Sequence, residues 1–196
     1  MRTLHWQLLT AISPDPSCLS PLEIARLQYS AQADRFLRSR TFLRQVLGHY
    51  LSLPPPAVPI SYAPSGKPIL ANLPFYFNLA HSGDWLVVAV SDCYALGIDL
   101  EEMKVRPYQQ LINRYFCPTE QQWLREQSSL GESFYRAWVG KEAYSKLLEL
   151  PLLQVLRQLE TISLLQEGRM AVAGGIIIQE IVAPLGYRAA LAYRTL

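Results

Sequence analysis

A break near residues 92–97 divides the 196-residue chain into two stretches with the same order of elements: strand, helices, strands. This repetition constrains the fold more than any other feature, because strands set apart from helices favour α+β units over a doubly wound sheet. The repeat is one of element type only. In the first stretch, Leu4 to Ile12 reads as a strand and Ser20-Pro21-Leu22-Glu23 as a helix start, with serine as cap and proline in the first turn. From Asp34 to Leu51, Phe36, Leu37, Leu43, Val46, Leu47 and Leu51 recur at helical spacing. Seven of the fourteen prolines lie between Pro54 and Pro74, which predicts ordered loop and short edge strands. Phe75 to Leu79, Trp85 to Ser91 and Leu96 to Glu101 read as strands. In the second stretch the helices are Tyr108 to Tyr115, Thr119 to Gln127 and Glu132 to Leu150. Glu160 to Leu164, Met170 to Val182 and Tyr187 to Tyr193 look strand-like, with Gly-containing turns. The expectation is two α+β halves, 1–94 and 95–196, packed together because no low-complexity linker separates them.

Half of the residues are hydrophobic and 17% are charged, so burial can offset the entropy of ordering and a disordered chain is excluded. A net charge of +2 argues against a sequence-blind nucleic-acid binder, which needs a concentrated basic face. Three scattered cysteines without CxxC spacing argue against a disulfide framework or a zinc site. His5 and Gln7 interrupt what a signal peptide would need as an apolar run, and no stretch of about 18 apolar residues occurs. These features predict a cytoplasmic protein with no membrane or nucleic-acid partner.

Four local features carry chemistry. On the strand Gly97-Ile98-Asp99-Leu100-Glu101, alternation turns both carboxylates to one face and Ile98 and Leu100 to the other. Paired carboxylates repel unless a cation lies between them, and oxygen-only ligands suit Mg²⁺ or Mn²⁺; an exposed strand face is the plainer alternative. On the long helix, Glu142 and Lys146 share a face with Trp138, which also fits an ordinary helix ion pair. Gly140 costs that helix about 1 kcal/mol, so either a ligand or a tightly crossing element comes close there. His81, Ser82 and Gly83 follow an apolar strand, where an imidazole and nearby N–H groups can meet an anion. Gly66-Lys67-Pro68 is a turn presenting one lysine. Arg35, Arg38, Arg40 and Arg44 make their helix the most basic segment, and by themselves read as a solvated face.

Together and in this order, these features resemble the 4′-phosphopantetheinyl transferases of the larger, surfactin-synthetase type. That family's GKP turn, N-x-[SA]-H-S strand end, G-[IV]-D-[IL]-E strand and W-x-x-K-E-[AS]-x-x-K helix stand here as residues 66–68, 78–82, 97–101 and 138–146. Arg114 to Glu120 matches a fifth, aromatic-rich signature ending in an acid. The resemblance implies two similar halves related by a pseudo-two-fold axis, a monomeric pseudo-dimer. It implies transfer of the phosphopantetheine arm of coenzyme A to a serine of an apo carrier protein in fatty-acid, polyketide or nonribosomal-peptide synthesis. A non-catalytic coenzyme A or carrier-binding protein on the same fold is the alternative.

By the same resemblance, Asp99, Glu101 and Glu142 hold Mg²⁺ or Mn²⁺, and Glu142 and Lys146 are the catalytic pair, with water or Glu120 as other candidates for the base. Lys141 and Lys146 contact the diphosphate, Gly66, Lys67 and Pro68 the adenine side, and Arg35 and His81 the 3′-phosphate, with Arg44 a second-rank candidate and Arg26 a further guess; Ser82 is also a coenzyme A contact. Ala80 stands where many members carry serine. Met103 to Phe116 mixes apolar residues with Lys104, Arg106 and Arg114, which suits an acidic, amphipathic carrier helix.

Overall fold

The computed structural model describes residues 2–70 and 72–195. Its first part holds strand β1 (Arg2–Leu8), helices α1 (Pro21–Leu27) and α2 (Ala33–Leu51), the short pair β2 (Ile60–Tyr62) and β3 (Pro68–Leu70), and strands β4 (Tyr76–Ser82) and β5 (Trp85–Ser91). The second part holds β6 (Leu96–Glu102), α3 (Tyr108–Tyr115), α4 (Pro118–Arg125), α5 (Leu130–Leu148), α6 (Leu152–Gln158), α7 (Ile162–Glu167), β7 (Arg169–Val172), β8 (Ile176–Ile181) and β9 (Tyr187–Arg194). The fold is of mixed α+β class, with antiparallel sheets ordered β1-β5-β4 and β6-β9-β8-β7.

Helix α1 starts as its sequence dictates. The Ser20 hydroxyl accepts from the Glu23 N–H, and the Glu23 carboxylate accepts from the Ser20 N–H at 3.0 Å. Helix α2 lays Leu43, Val46 and Leu47 on Phe77, Val88 and Val90 of β4 and β5, so its apolar stripe forms the core of the first part.

The two sheets meet along β4 and β6 through side chains. Asn78 Oδ1 accepts the Ile98 N–H at 2.8 Å, and Ser82 Oγ accepts the Glu102 N–H at 3.0 Å. Ala80, Val87 and Ala89 pack with Leu96, Ile98, Leu100 and Leu191 in one cluster that crosses this junction. A shared core of this kind resists relative motion of the two sheets. Asn78 and Ser82 of the strand-end motif therefore join the sheets, a role their spacing alone did not disclose.

Two expectations need correction. The first strand stops at Leu8 and a 3₁₀ turn follows at Leu9–Ala11, because the Leu9 N–H turns to the Asp84 carbonyl and Leu9 and Ile12 pack beneath Leu86. Glu160 to Leu164 is not a strand: Ile162–Glu167 is helical, and α6 precedes it. Thr161-Ile162 has β-branched character, but Leu164 packs on α5 and the second sheet while Leu165 buries among α3, α4 and α5, and a helical turn serves both contacts. Met170 to Val182 is strand with a glycine turn as expected, a hairpin of β7 and β8 that turns at Gly174-Gly175.

Candidate functional site

Strand β6 and helix α5 are locked together by the absence of a side chain at Gly97. A Cβ there would fall on the Ala143 carbonyl and the Leu147 N–H of α5. This close approach sets Asp99 and Glu101 of β6 against Glu142 and Lys146 of α5. Asp99, Glu101 and Glu142 each offer a carboxylate oxygen within 4.8 Å of the others. Lys146 Nζ lies 2.6 Å from Asp99 Oδ1, and Ser82 Oγ donates to Glu101 Oε2 at 2.9 Å. Asp99 is 2% exposed, and among the described residues its Oδ2 has no hydrogen-bond partner.

The electrostatics follow from this crowding. Burial pushes the Asp99 carboxyl above its ordinary range; Lys146 opposes the rise and Glu142 adds to it. Glu101 is raised by burial and then by Asp99. Glu142 is raised by burial, with Lys146 opposing and Glu101 adding. Burial alone would lower the Lys146 ammonium, but Asp99, Glu142 and Glu101 together hold it above its usual value. One ammonium among three carboxylates leaves negative charge uncompensated, and an all-oxygen donor set with a free buried oxygen fits a hard divalent cation.

A cavity of about 550 Å³ opens beside Lys146, lined by Gly66, Lys67, Pro68, Asn78, Glu149 and Pro151 among others. A second cavity, of about 350 Å³, is cationic and lined by Arg35, Ser39, Arg40 and His81. Arg35 Nη2 donates to the Gly83 carbonyl at 3.1 Å and sits 3.2 Å from His81 Nδ1, which accepts in the neutral ring. Burial, and then the Arg35 charge, hold the imidazole below its ordinary pKa. Arg35 Nε and Arg40 Nε and Nη1 are buried without hydrogen-bond partners among the described residues. Unsatisfied guanidinium N–H groups around a cavity are donors prepared for an anion.

Two family models match. Residues 9–93 match the N-terminal model of 4′-phosphopantetheinyl transferases, and residues 95–183 match the 4′-phosphopantetheinyl transferase superfamily. The chain belongs to the 4′-phosphopantetheinyl transferase superfamily. It is 36% identical over 138 residues to the 4′-phosphopantetheinyl transferase HetI of Nostoc, covering 65% of this chain and 58% of that protein. It is 36% identical over 126 residues to the transferase psf-1 of Bacillus pumilus, covering 62% and 53%. With the transferase of Bacillus subtilis the figures are 33% over 124 residues, 62% and 54%. The matched stretch thus spans a little over half the length of these relatives.

Of the residues singled out by the superfamily motifs, Asp99, Glu101, Glu142 and Lys146 converge, with Ser82 bonded to Glu101. Gly66, Lys67 and Pro68 line the larger cavity, and Arg35 and His81 the cationic one. Lys141 does not join them. It is 0% exposed, and its ammonium bonds Glu120 Oε2 at 2.8 Å, the Leu156 carbonyl at 3.1 Å and the Leu159 carbonyl. Neighbouring positions on a helix point about 100° apart, so a helix that turns Glu142 to the cluster turns Lys141 into the core. Glu120 is equally buried and also accepts from the Thr161 N–H and hydroxyl, which removes it as a candidate base. Arg44 is 1% exposed and committed to Glu23 Oε2 at 2.5 Å and to the Pro55 and Val58 carbonyls, and it lines neither of these two cavities. Arg26 lies over the Tyr62 ring, 4.2 Å from its centroid. Gly140 is explained by packing, because a Cβ would strike the Leu164 side chain.

Arg40 is the residue sequence reasoning missed. Arg35 and Arg40 are five apart, which is not a helical neighbour spacing. Its signal was present but weak, since it stood among other arginines read as a solvated face. At the proposed docking segment, Arg106 Nε meets the Tyr135 hydroxyl at 3.1 Å, Lys104 pairs with Glu102 at 2.8 Å, and Val105 is fully exposed. A cavity of about 280 Å³ runs from Arg106 past Tyr115 and Trp138 to Glu101 and Glu142.

Proposed function

We propose that this protein is a 4′-phosphopantetheinyl transferase that moves the phosphopantetheine arm of coenzyme A onto a serine of an apo carrier protein, releasing adenosine 3′,5′-bisphosphate. The observation that carries this reading is the convergence of Asp99, Glu101 and Glu142 within 4.8 Å, beside Lys146, with Glu101 and Glu142 lining the cavity that runs from Arg106 and Lys146 lining the larger one. A protein that only bound coenzyme A or a carrier would have no use for three crowded carboxylates whose repulsion costs stability.

Asp99, Glu101 and Glu142 would hold Mg²⁺ or Mn²⁺, which when bound would neutralise the coenzyme A diphosphate and stabilise charge at the phosphorus under attack. The nucleotide sits in the larger cavity against Gly66 and Pro68, and the 3′-phosphate in the cationic one against Arg35, Arg40 and His81. In the transfer, the carrier serine Oγ–phosphorus bond forms as the diphosphate P–O bond to the nucleotide breaks. The serine proton passes to a Glu142 oxygen, directly or through a water; burial raises that carboxyl, which makes it a better acceptor once ionised. Lys146 hydrogen-bonds the departing phosphate oxygen, and its ammonium keeps the charge this requires. The cavity that runs to Arg106 and Trp138 gives the serine its approach, with Met103 to Phe116 as the carrier-facing segment. Both halves of the chain contribute to the site, Arg35 and His81 from the first and the acidic cluster from the second, as a monomer of the surfactin-synthetase type requires. Among the described residues no helix is long and apolar enough to cross a membrane.

Incubation with coenzyme A, Mg²⁺ and an apo carrier should add one phosphopantetheine mass to the carrier, and EDTA should stop the addition. Full activity without any divalent cation would overturn the reading.

A further inference from the structure

The geometry points to Lys67 as a positioning residue that clasps α5 and β6 together, rather than as a contact for the nucleotide. Its ammonium donates to the Lys146 carbonyl at 2.7 Å and reaches the Leu96 carbonyl at 3.3 Å. Lys146 O is among the last four carbonyls of α5, which have no partner within the helix. The Ser145 carbonyl is already met by the Glu149 and Leu150 N–H groups, so Lys67 satisfies the next one. A cation at this place also opposes the negative end of the helix dipole. Leu96 begins β6, three residues before Asp99.

One ammonium therefore ties down the two elements that carry the acidic cluster, and it does so from the turn before β3. Lys146 is held at both ends: its carbonyl by Lys67 and its ammonium by Asp99 at 2.6 Å. Beside it, Ser65 Oγ donates to Glu149 Oε2, a residue in the left-handed conformation at the end of α5, so the same turn grips the helix terminus twice. Burial lowers the Lys67 ammonium, with Glu149 opposing, as expected of a group facing protein rather than water. The larger cavity lies between this turn and α5, so the clasp sets the distance from the nucleotide seat to Lys146.

The catalytic consequence rests on the transferase reading above; the clasp itself does not. The test compares wild type with Lys67→Met and Lys67→Arg in three measurements: kcat for carrier modification, calorimetric Kd for coenzyme A, and amide hydrogen exchange by residue. In Lys67→Met, kcat should fall about tenfold while Kd moves less than about twofold, the split expected of a group that orients others. Exchange should speed up over residues 145–150 and stay unchanged in α2. Lys67→Arg, which keeps a donor cation, should restore most of both. An unchanged kcat with a weakened Kd would overturn the proposal and make Lys67 a ligand contact, and unchanged exchange over residues 145–150 would also overturn it. A wild type that transfers nothing would instead sink the transferase reading, with the exchange comparison still deciding the clasp.

Discussion

Replacing Arg40 with methionine separates a ligand-binding arginine from a structural one. The Arg40 side chain is only 14% exposed, its Nε is 3.9 Å from Glu23 Oε1, and Nε and Nη1 have no hydrogen-bond partner among the described residues. Glu23 is already served by Arg44 at 2.5 Å and by the Ser20 N–H at 3.0 Å. Removing Arg40 thus breaks no short bond and relieves a desolvated cation, so unfolding stability should change by less than about 1 kcal/mol. In the complex, the 3′-phosphate would accept from Arg40 as well as Arg35. A hydrogen bond to a charged group contributes about 2 kcal/mol, which is about thirtyfold in Kd. Calorimetry with coenzyme A and with 3′-dephospho-coenzyme A isolates this contribution. Arg40→Met should weaken the first about thirtyfold and leave the second within about twofold. Equal weakening of both ligands would refute the assignment. A loss of several kcal/mol in folding stability would show that Arg40 serves Glu23 instead.

Lys141→Met leaves the Glu120 carboxylate buried without its cation, so chemical denaturation should show about 3 kcal/mol less stability, with Glu120→Gln in the same chain recovering part of it. A stable variant with weak coenzyme A binding would restore Lys141 to the diphosphate. Gly97→Ala drives a methyl into the α5 backbone and should cost about 2 kcal/mol and most of the transfer activity, measured by denaturation and carrier mass; an unaltered enzyme would contradict the close β6–α5 approach. His81 should make coenzyme A binding depend on pH. Burial and Arg35 keep the free imidazole neutral, a bound phosphate raises its pKa, and binding then takes up a proton. Affinity should strengthen as pH falls from about 8 to about 6.5, and the gain should vanish as pH rises through the bound-state value. Calorimetry with His81→Ala or with 3′-dephospho-coenzyme A should show a flatter dependence; an equally steep one would exclude His81.

Local periodicity made the elements of the site legible. The alternation in Leu96–Glu102 correctly sends Ile98 and Leu100 into the core and sets Asp99 and Glu101 toward one neighbour. The apolar stripe of Ala33–Leu51 and the strand Trp85–Ser91 follow equally from their patterns. What the sequence concealed was long-range pairing of polar groups. Arg44 reads as part of a solvated basic face until Glu23, 21 residues earlier, is seen to bury it. Lys141 sits in the family motif, yet its partner Glu120 comes from a different helix. Asn78 and Ser82 bridge two sheets whose adjacency no spacing reveals. Short helices such as Ile162–Glu167 carry too few turns for periodicity to outweigh β-branched composition.

Whether the Asp99–Glu101–Glu142 cluster drives phosphopantetheine transfer is decided by the mass of an apo carrier after incubation with coenzyme A and Mg²⁺, comparing wild type with Asp99→Asn. Asparagine keeps the shape of the side chain and removes its charge, so the fold should persist. Wild type should add one phosphopantetheine per carrier serine and Asp99→Asn none, at equal melting temperature. Carrier modified at the wild-type rate by Asp99→Asn would contradict that role of the cluster.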